Sequence, residues 1–183
     1  MTGHHGANPR RRALAKGLGL LALVAAVPAR AARPAPRTLS FYHTHTGERL
    51  MATYFEHGRY LPDALQAVNL LLRDFRTETV HVIDPHLLEQ LYALNACCGG
   101  RSFEVISGYR SPQTNAMLRK TSSGVAKHSL HIDGRAIDVR LDGCDTERLH
   151  RAALAMARGG VGFYPRSDFV HLDTGRFRTW GAA

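Results

Sequence analysis

Hydrophobic positions in the first half of the chain follow a strand pattern and then two helix patterns. The stretch "TLSFYHTHTG" alternates apolar and polar residues, which is typical of a strand. Apolar residues then recur at spacings of three and four, which predicts a helix over about 62–76 (Leu61, Leu65, Val68, Leu72, Phe75). Asp84 as N-cap and Pro85 at the first position predict a second helix, which should end before the glycines at 99–100.

Strand patterns become more frequent in the second half. The stretches "FEVISG", "AIDVRL", "VGFY" and "FVHLD" are predicted strands, with Pro165 between the last two. Helices are predicted for "SPQTNAMLRK", capped by Ser111, and for "TERLHRAALAMAR", closed by the glycines at 159–160. Because helices come first and strands concentrate late, the order indicates an α+β fold with helices packed on a mostly antiparallel sheet.

Composition and charge agree with one soluble globular domain. The 183 residues are 44% hydrophobic and 21% charged. The net charge of +9 could indicate a nucleic-acid partner, but five basic residues and no acidic one lie in the first 31 positions. The rest of the chain has 19 basic and 15 acidic residues, a net charge of +4. It has no basic run and no basic strand rich in aromatic residues, so we expect no nucleic-acid binding.

The N-terminal segment has the layout of a removable export signal. Arginines 10–12 and Lys16 precede an uncharged segment from Gly17 to Ala29, shorter than the roughly 20 residues of a membrane span. Ala29-Arg30-Ala31 supplies an A-x-A cleavage site, and Arg11-Arg12 with the residues after them resembles a twin-arginine signal. A short amphipathic or disordered basic tail is the alternative.

The expected organisation follows from this signal. We predict a signal peptide over 1–31, a linker over 32–37 and one domain over 38–183. The twin-arginine export machinery would be a partner, and the mature protein would lie in the periplasm or cell envelope without a membrane span. Cys97, Cys98 and Cys144 fit neither a disulfide framework nor a thiolate zinc site, so we expect three buried, small apolar residues.

Candidate metal ligands occur in "SLHIDGRAID". His131 lies just before a predicted strand and Asp138 within it, and Gly134 would let the chain bend so that both face one point. A catalytic zinc site takes three protein ligands and keeps one position open. His171 is the best third candidate because a strand fixes its direction, although iron and other divalent ions accept similar ligands. The chain has 11 histidines, so packed or surface residues remain the alternative on spacing alone.

These residues resemble the motifs of a known family. The pattern S-x-H-x-x-G-x-A-x-D, from Ser129 to Asp138, is similar to that of the LAS zinc metallopeptidases. This group includes D-alanyl-D-alanine carboxypeptidases and dipeptidases, murein endopeptidases and the hedgehog N-terminal domain. "SGYRS" at 107–111 resembles their upstream motif, and His171 corresponds to their late histidine. The resemblance to the exported YcbK-like branch covers nearly the whole chain after residue 31, from "HTGE" to "GGVGFYPRSDFVHLDTGRFRTW".

The resemblance implies a role for each site residue. His131, Asp138 and His171 would hold one zinc ion, and Arg110 would contact the scissile carbonyl or a substrate carboxylate. Related peptidases place a glutamate three residues before the last histidine as general base. Asp168 occupies that position here, one methylene shorter, and a turn-capping aspartate is its alternative.

Other residues near these motifs have weaker assignments. Asp173 could orient His171, although a strand-end aspartate needs no such role. His43 and His45 alternate on a strand and share one face, so a second metal site there is a further hypothesis. His128 is expected in a solvated loop. Trp180 is expected to anchor the C-terminal segment.

The implied activity is that of a zinc-dependent peptidoglycan peptidase. An endopeptidase acting on cross-links between stem peptides is the first expectation. A D,D- or L,D-carboxypeptidase on stem peptides is one alternative. A catalytically silent, zinc-containing peptidoglycan-binding module is the other, but such a module need not keep both an acid at position 168 and Arg110.

Overall fold

The computed structural model describes residues 34–99, 101–121 and 125–181. The predicted signal peptide and the first residues of the predicted linker lie outside these ranges. The strands are β1 (Arg37–His43), β2 (Arg49–Glu56), β3 (Arg59–Tyr60), β4 (Phe103–Ser107), β5 (Ala136–Leu141), β6 (Gly160–Tyr164), β7 (Phe169–Asp173) and β8 (Arg178–Gly181). The helices are α1 (Pro62–Leu71), α2 (Pro85–Cys98), α3 (Pro112–Thr121) and α4 (Thr146–Met156). Within the described ranges, no helix has the length and apolarity that a membrane crossing requires.

The eight strands form one sheet in the order β3-β2-β1-β4-β5-β7-β6-β8. The pairs β1–β4 and β6–β8 are parallel, and the other five neighbouring pairs are antiparallel. Helix α1 contacts β2, α2 contacts β1 and α4, and α4 also contacts β5, β6 and β7. This confirms the predicted α+β fold with helices on a mostly antiparallel sheet.

The predicted order of elements is wrong at the start of the domain. The described chain opens with three strands, and the hairpin of β2 and β3 precedes the first helix. The signal for β2 is present in "RLMATYFE", where Leu50, Ala52 and Tyr54 alternate toward the core while Met51 is exposed. Strand β8 has only four residues, and an alternation this short is not distinctive.

Helix α1 ends earlier than the predicted limit of residue 76. The Leu72 N–H still bonds to Val68, but the next residues form a turn closed by a bridge between Asp74 and Thr79. The buried Asp74 carboxylate accepts hydrogen bonds from the backbone N–H groups of Arg76 and Ser111. The apolar spacing continues past the helix because Phe75 packs in this turn against two histidine rings.

The predicted boundaries of α2 are confirmed. The Asp84 carboxylate accepts from the His86 N–H at 3.0 Å, and Gly99 ends the helix with a left-handed φ of 115°. The expectation that all three cysteines are buried is wrong for one of them. Cys97, in the final turn of α2, is exposed, whereas Cys98 and Cys144 are buried, and all three are free thiols.

Alternating side chains of β5 and β7 point to opposite faces of the sheet, and one of these faces packs in the core. Ile137 and Val139 of β5 and Val170 and Leu172 of β7 are fully or almost fully buried in the main apolar cluster with α2 and α4. Because successive side chains of a strand point to opposite faces, the residues between them point to the other face of the sheet. Asp138 and His171 are such intervening residues.

Candidate metal and active site

Three predicted ligands converge on one point of the sheet. Asp138 of β5 pairs directly with His171 of β7, and His131 lies in the turn before β5. Asp138 Oδ1 is 3.3 Å from His131 Nε2 and 2.8 Å from His171 Nδ1, and the two nitrogens are 3.2 Å apart. All three side chains are buried. In the described part of the chain, this is the only histidine, cysteine and carboxylate cluster that could hold a metal ion.

The turn that carries His131 depends on Gly134. This glycine has a left-handed φ of 65°, and a Cβ there would collide with the Val82 carbonyl. Its own carbonyl accepts from the Asp84 N–H at 2.9 Å, which holds the turn against the start of α2. The bend expected from the sequence is therefore present, and it places His131 over the end of β5.

The outer nitrogen of each histidine is held by an acceptor. His131 Nδ1 is 2.7 Å from the Gly108 carbonyl, and His171 Nε2 is 3.2 Å from a carboxylate oxygen of Asp173. Carbonyls and carboxylates accept hydrogen bonds, so these outer nitrogens carry the protons. In the neutral rings, the inner atoms His131 Nε2 and His171 Nδ1 then present lone pairs beside Asp138.

The pKa shifts of the three candidate ligands show that their charges influence one another. Burial lowers the pKa of His131. Burial alone would raise the pKa of Asp138, but the two histidines hold it well below its usual range, so this carboxylate is ionised at neutral pH. Burial would lower the pKa of His171, but hydrogen bonds to Asp138 and Asp173 raise it above its ordinary value.

This donor set fits a catalytic zinc ion. Two imidazole nitrogens and one carboxylate oxygen are zinc ligands, and three protein ligands leave a position open. When bound, zinc would supply a water of lowered pKa and would polarise a carbonyl oxygen. The Asp138 carboxylate and the two inner nitrogens lie within 3.3 Å of one another, close enough to ligate one ion together.

Asp173 orients His171, as the sequence suggested. It is fully buried and accepts from the backbone N–H groups of Gly160 and Gly175 at 2.9 and 2.8 Å. Arg178 donates to both of its oxygens, at 2.7 and 3.1 Å. Burial would raise the pKa of Asp173, but the donors from His171 and Arg178 lower it well below its usual range. The carboxylate thus remains ionised and holds the outer nitrogen of His171.

Two glycines of β6 leave space for Arg178 and Trp180, two site residues that were not predicted from the sequence as part of the site. Gly160 pairs with Arg178 and Gly162 with Trp180 of β8. A Cβ at Gly160 would lie 2.6 Å from an Arg178 guanidinium nitrogen, and one at Gly162 would lie 2.6 Å from the Trp180 indole. The alternation "GVG" was the available signal, because small residues at every second position clear one strand face. Trp180 therefore packs in the site, and its expected role as a terminal anchor is incomplete.

A cavity of about 520 Å³ opens beside the three ligands. Arg110 lines it and is buried; its Nη2 lies 3.4 Å from Asp138 and 3.4 Å from Ser107, and its Nε has no hydrogen-bond partner among the described residues. Burial lowers the pKa of Arg110, and the charge of Asp138 opposes this shift. The other polar or aromatic lining residues include His128, Ser129, Tyr164, Ser167, Phe169, Arg178 and Trp180.

Asp168 does not lie where the sequence analysis placed it. Its carboxylate accepts from Thr146 at 2.8 Å and from Arg140 at 3.4 Å, is largely exposed, and lines a second cavity of about 390 Å³. Asp168 lies three positions before His171, and an extended stretch of that length spans about 10 Å. Its backbone also has a left-handed φ of 52°, as in a turn. Asp168 thus lines a different cavity from the three ligands, and the turn alternative fits this position; its role as general base remains a prediction.

The hypothesis of a second metal site at His43 and His45 finds no support among the described residues. His43 Nδ1 accepts from the backbone N–H groups of His45 and Thr46, at 3.3 and 3.4 Å, so its lone pair is occupied. The His45 ring stacks on Phe75 at 4.3 Å between centroids, and the His43 ring meets the same phenylalanine edge-on. These histidines pack the turn after α1.

Comparisons with known proteins agree with the motif resemblance. The family described as Peptidoglycan L,D-endopeptidase MepK (Peptidase_M15_2) matches residues 31–180. The chain is 43% identical over 177 residues to "Peptidoglycan L,D-endopeptidase MepK" of Escherichia coli K12, which covers 95% of this chain and 97% of that protein. It is 44% identical over 165 residues to "Probable peptidoglycan L,D-endopeptidase MepK" of Haemophilus influenzae, or 89% of each chain. The matched region contains every residue of the site described above.

Proposed function

The chain belongs to the Peptidoglycan L,D-endopeptidase MepK family, and on this premise we propose that it hydrolyses peptide bonds between an L and a D centre within peptidoglycan. It is a murein endopeptidase, and one zinc ion held by His131, Asp138 and His171 would serve the reaction. The observation that carries the proposal is the orientation of the two histidines. Their outer nitrogens are held by acceptors while their inner lone pairs and an ionised carboxylate share one point.

The protein's own residues divide the remaining work. Arg110 lies beside Asp138, and its Nε has no partner in the part of the chain that the structure describes, which suits a hydrogen bond to a substrate carbonyl or carboxylate. Asp173 fixes the ring of His171. Because Asp168 lines another cavity, we propose His128 as the proton acceptor. Among the described lining residues of the site cavity, it is the one imidazole outside the ligand set.

The test is product analysis on defined muropeptides. The mature protein, loaded with one equivalent of zinc, should split a dimer cross-linked through an L,D bond into two monomers of the expected masses. His131→Ala should release nothing, because two ligands are too few to hold the ion. Release of a single terminal amino acid instead of two monomers would identify a carboxypeptidase. Absence of any product from cross-linked or monomeric substrates would refute the peptidase assignment.

The substrate requires export, and we propose the twin-arginine route. The pair Arg11-Arg12 precedes the uncharged segment and the A-x-A site, as in signals read by that exporter. Replacing both arginines by lysine keeps the charge but should retain the precursor in the cytoplasm, as measured by cell fractionation. Normal delivery of this double variant to the envelope would indicate the general secretory route.

A further inference from the structure

Tyr164 is held in the wall of the site cavity by a stacked ring. It pairs with Phe169 across β6 and β7, and the two rings stack with centroids 4.5 Å apart at 19°. The register places Tyr164 two residues from Gly162 on the strand face that carries His171. Stacking on Phe169 therefore restricts the orientation of the Tyr164 ring.

Trp180 fixes the phenol oxygen from the other side. The indole Nε1–H donates to the Tyr164 hydroxyl at 2.8 Å. The indole sits over Gly162, and its centroid lies 5.0 Å from the ring centroid of His171. The guanidinium carbon of Arg178 lies 4.9 Å from the centroid of the Trp180 ring. These contacts confine the indole, so the Nε1–H has one direction in which to point.

This arrangement leaves the hydroxyl proton of Tyr164 available. A phenol oxygen can accept hydrogen bonds and donate one, and here it accepts from Trp180. Among the described residues the Tyr164 hydroxyl has no hydrogen-bond partner besides Trp180, and Tyr164 lines the cavity together with Arg110 and the three ligands. A hydroxyl that already accepts a hydrogen bond is polarised and becomes a stronger donor.

We propose that Tyr164 is a catalytic residue that donates a hydrogen bond to the carbonyl oxygen of the scissile peptide. Trp180 is its positioning residue. The inference deepens the proposed peptidase function and rests on it. Tyr164 extends from β6, whereas Arg110 extends from the connection between β4 and α3, so the cavity offers two separate donors to substrate.

The chemistry of hydrolysis explains what the donor would do. The oxygen of water bonds to the carbonyl carbon, and the electron pair of the carbonyl π bond moves onto the carbonyl oxygen. The C–N bond then breaks, and the leaving amine takes a proton that the water supplied. Charge on the carbonyl oxygen is largest between these events, so a fixed donor there stabilises the transition state more than the substrate.

The first test is Tyr164→Phe, which keeps the stacked ring and removes the hydroxyl. We expect kcat on the cross-linked muropeptide to fall by about 10² to 10³, the usual effect of losing one oxyanion donor. Zinc content and KM should stay close to wild type. A phosphinate analogue of the cleaved dipeptide mimics the charged oxygen, so calorimetry should show its affinity for zinc-loaded Tyr164→Phe reduced by a comparable factor.

The second test separates positioning from simple packing. Trp180→Phe retains an aromatic ring over Gly162 but removes the Nε1–H, so kcat should fall with little change in KM. Combined with Tyr164→Phe, it should add almost nothing, because both changes remove the same hydrogen bond to substrate. Tyr42→Phe is the matched control, since Tyr42 lies on β1, four strands away from β6 in the sheet.

Three results would overturn the assignment of Tyr164. The first is a kcat of Tyr164→Phe within about threefold of wild type, because losing an oxyanion donor lowers kcat far more than that. The second is loss of zinc from Tyr164→Phe. The third is full additivity of the effects of the two substitutions on kcat. Unchanged phosphinate affinity would overturn it independently of turnover. If wild type cleaves no muropeptide, the proposed function fails. The phosphinate comparison then still decides whether the Tyr164 hydroxyl contacts a charged oxygen in this cavity.

Discussion

Two cavities border the strands β5 and β7, and they differ in how their charges are arranged. The cavity beside His171 is lined by buried groups whose lone pairs and charges converge: the three ligands and Arg110. The cavity beside Asp168 is lined by Glu104, Arg140 and Asp168, which pair with one another or with a threonine hydroxyl and are partly or largely exposed. Both contain carboxylates, so acidic residues alone do not distinguish a site.

The carboxylates of the two cavities differ in their burial and in the groups that neutralise them. An exposed carboxylate paired with arginine is solvated and neutralised by its partner, and such a pair contributes little to the free energy of unfolding. The buried Asp138 carboxylate instead faces two imidazole nitrogens and the Arg110 guanidinium, and these groups converge on one point where a metal ion could bind. Asp173 shows the third case, since five donors satisfy a fully buried carboxylate and fix a neighbouring ring.

The largest effect should come from removing a ligand of the first cavity. His171→Ala should abolish stoichiometric zinc binding, measured by metal analysis after dialysis. The loss should exceed the roughly 10- to 100-fold that removal of an outer hydrogen-bond partner costs. Muropeptide cleavage should disappear with the metal. Full zinc retention would remove His171 from the ligand set.

Asp173→Asn should have the next largest effect on the same cavity. The amide cannot take the place of a carboxylate that accepts from both His171 and Arg178, so the ring of His171 loses its fixed orientation. We expect zinc affinity to fall by about 10- to 100-fold. Competition with a chelator of known affinity measures the change. An unchanged affinity would make Asp173 a structural residue of the β7–β8 connection.

Asp74 lies in neither cavity and tests whether a buried, satisfied aspartate affects folding alone. Asp74→Asn should lower the free energy of unfolding by about 1–3 kcal/mol, since it disturbs hydrogen bonds to Ser111 and Arg76. Burial would raise the pKa of Asp74, but the donors, Ser111 foremost, lower it.

The sign of the pH dependence follows from that lowered pKa. The contribution of Asp74 is present above the pKa of the unfolded chain and is lost as pH falls through the folded value. Urea unfolding at pH 7 should therefore separate wild type from Asp74→Asn more widely than unfolding at pH 3. An equal or larger difference at pH 3 would contradict this account.

The smallest effect is expected in the second cavity. Asp168→Asn removes an exposed charge that pairs with Arg140 and Thr146, so stability should change by less than about 1 kcal/mol. Zinc content and cleavage rate should stay close to wild type. A large fall in kcat with unchanged zinc would restore Asp168 as the base and remove the distinction between the cavities. His128→Ala in parallel tests the alternative acceptor.

The sequence was sufficient to predict the residues whose spacing is local or fixed by a strand. His131, Asp138 and His171 came from a motif, and the turn glycine between the first two has the predicted role. The position of Asp168 depends on more than its spacing from His171. A spacing of three residues was transferred from relatives, but direction depends on the backbone, and here a left-handed φ turns the residue toward Thr146.

Contacts between distant strands were harder to predict. Trp180 and Arg178 enter the site because β8 pairs in parallel with β6, and parallel pairing brings together residues without a hairpin between them. The glycines at 160 and 162 mark the cleared face, but nothing local says which strand will occupy it. The hairpin of β2 and β3 is a different case, because the alternation of β2 is a local pattern that is present in the sequence.

The position of Trp180 also makes the protein its own optical probe. It is the single tryptophan of the chain, and its indole lies against a metal-ligand ring and one wall of the cavity. All tryptophan emission of the protein therefore originates in the site. Metal loading, which changes the charge on the neighbouring imidazole, and occupation of the cavity by a peptide should each alter that emission. Both events could then be titrated in solution without a label and timed by stopped flow.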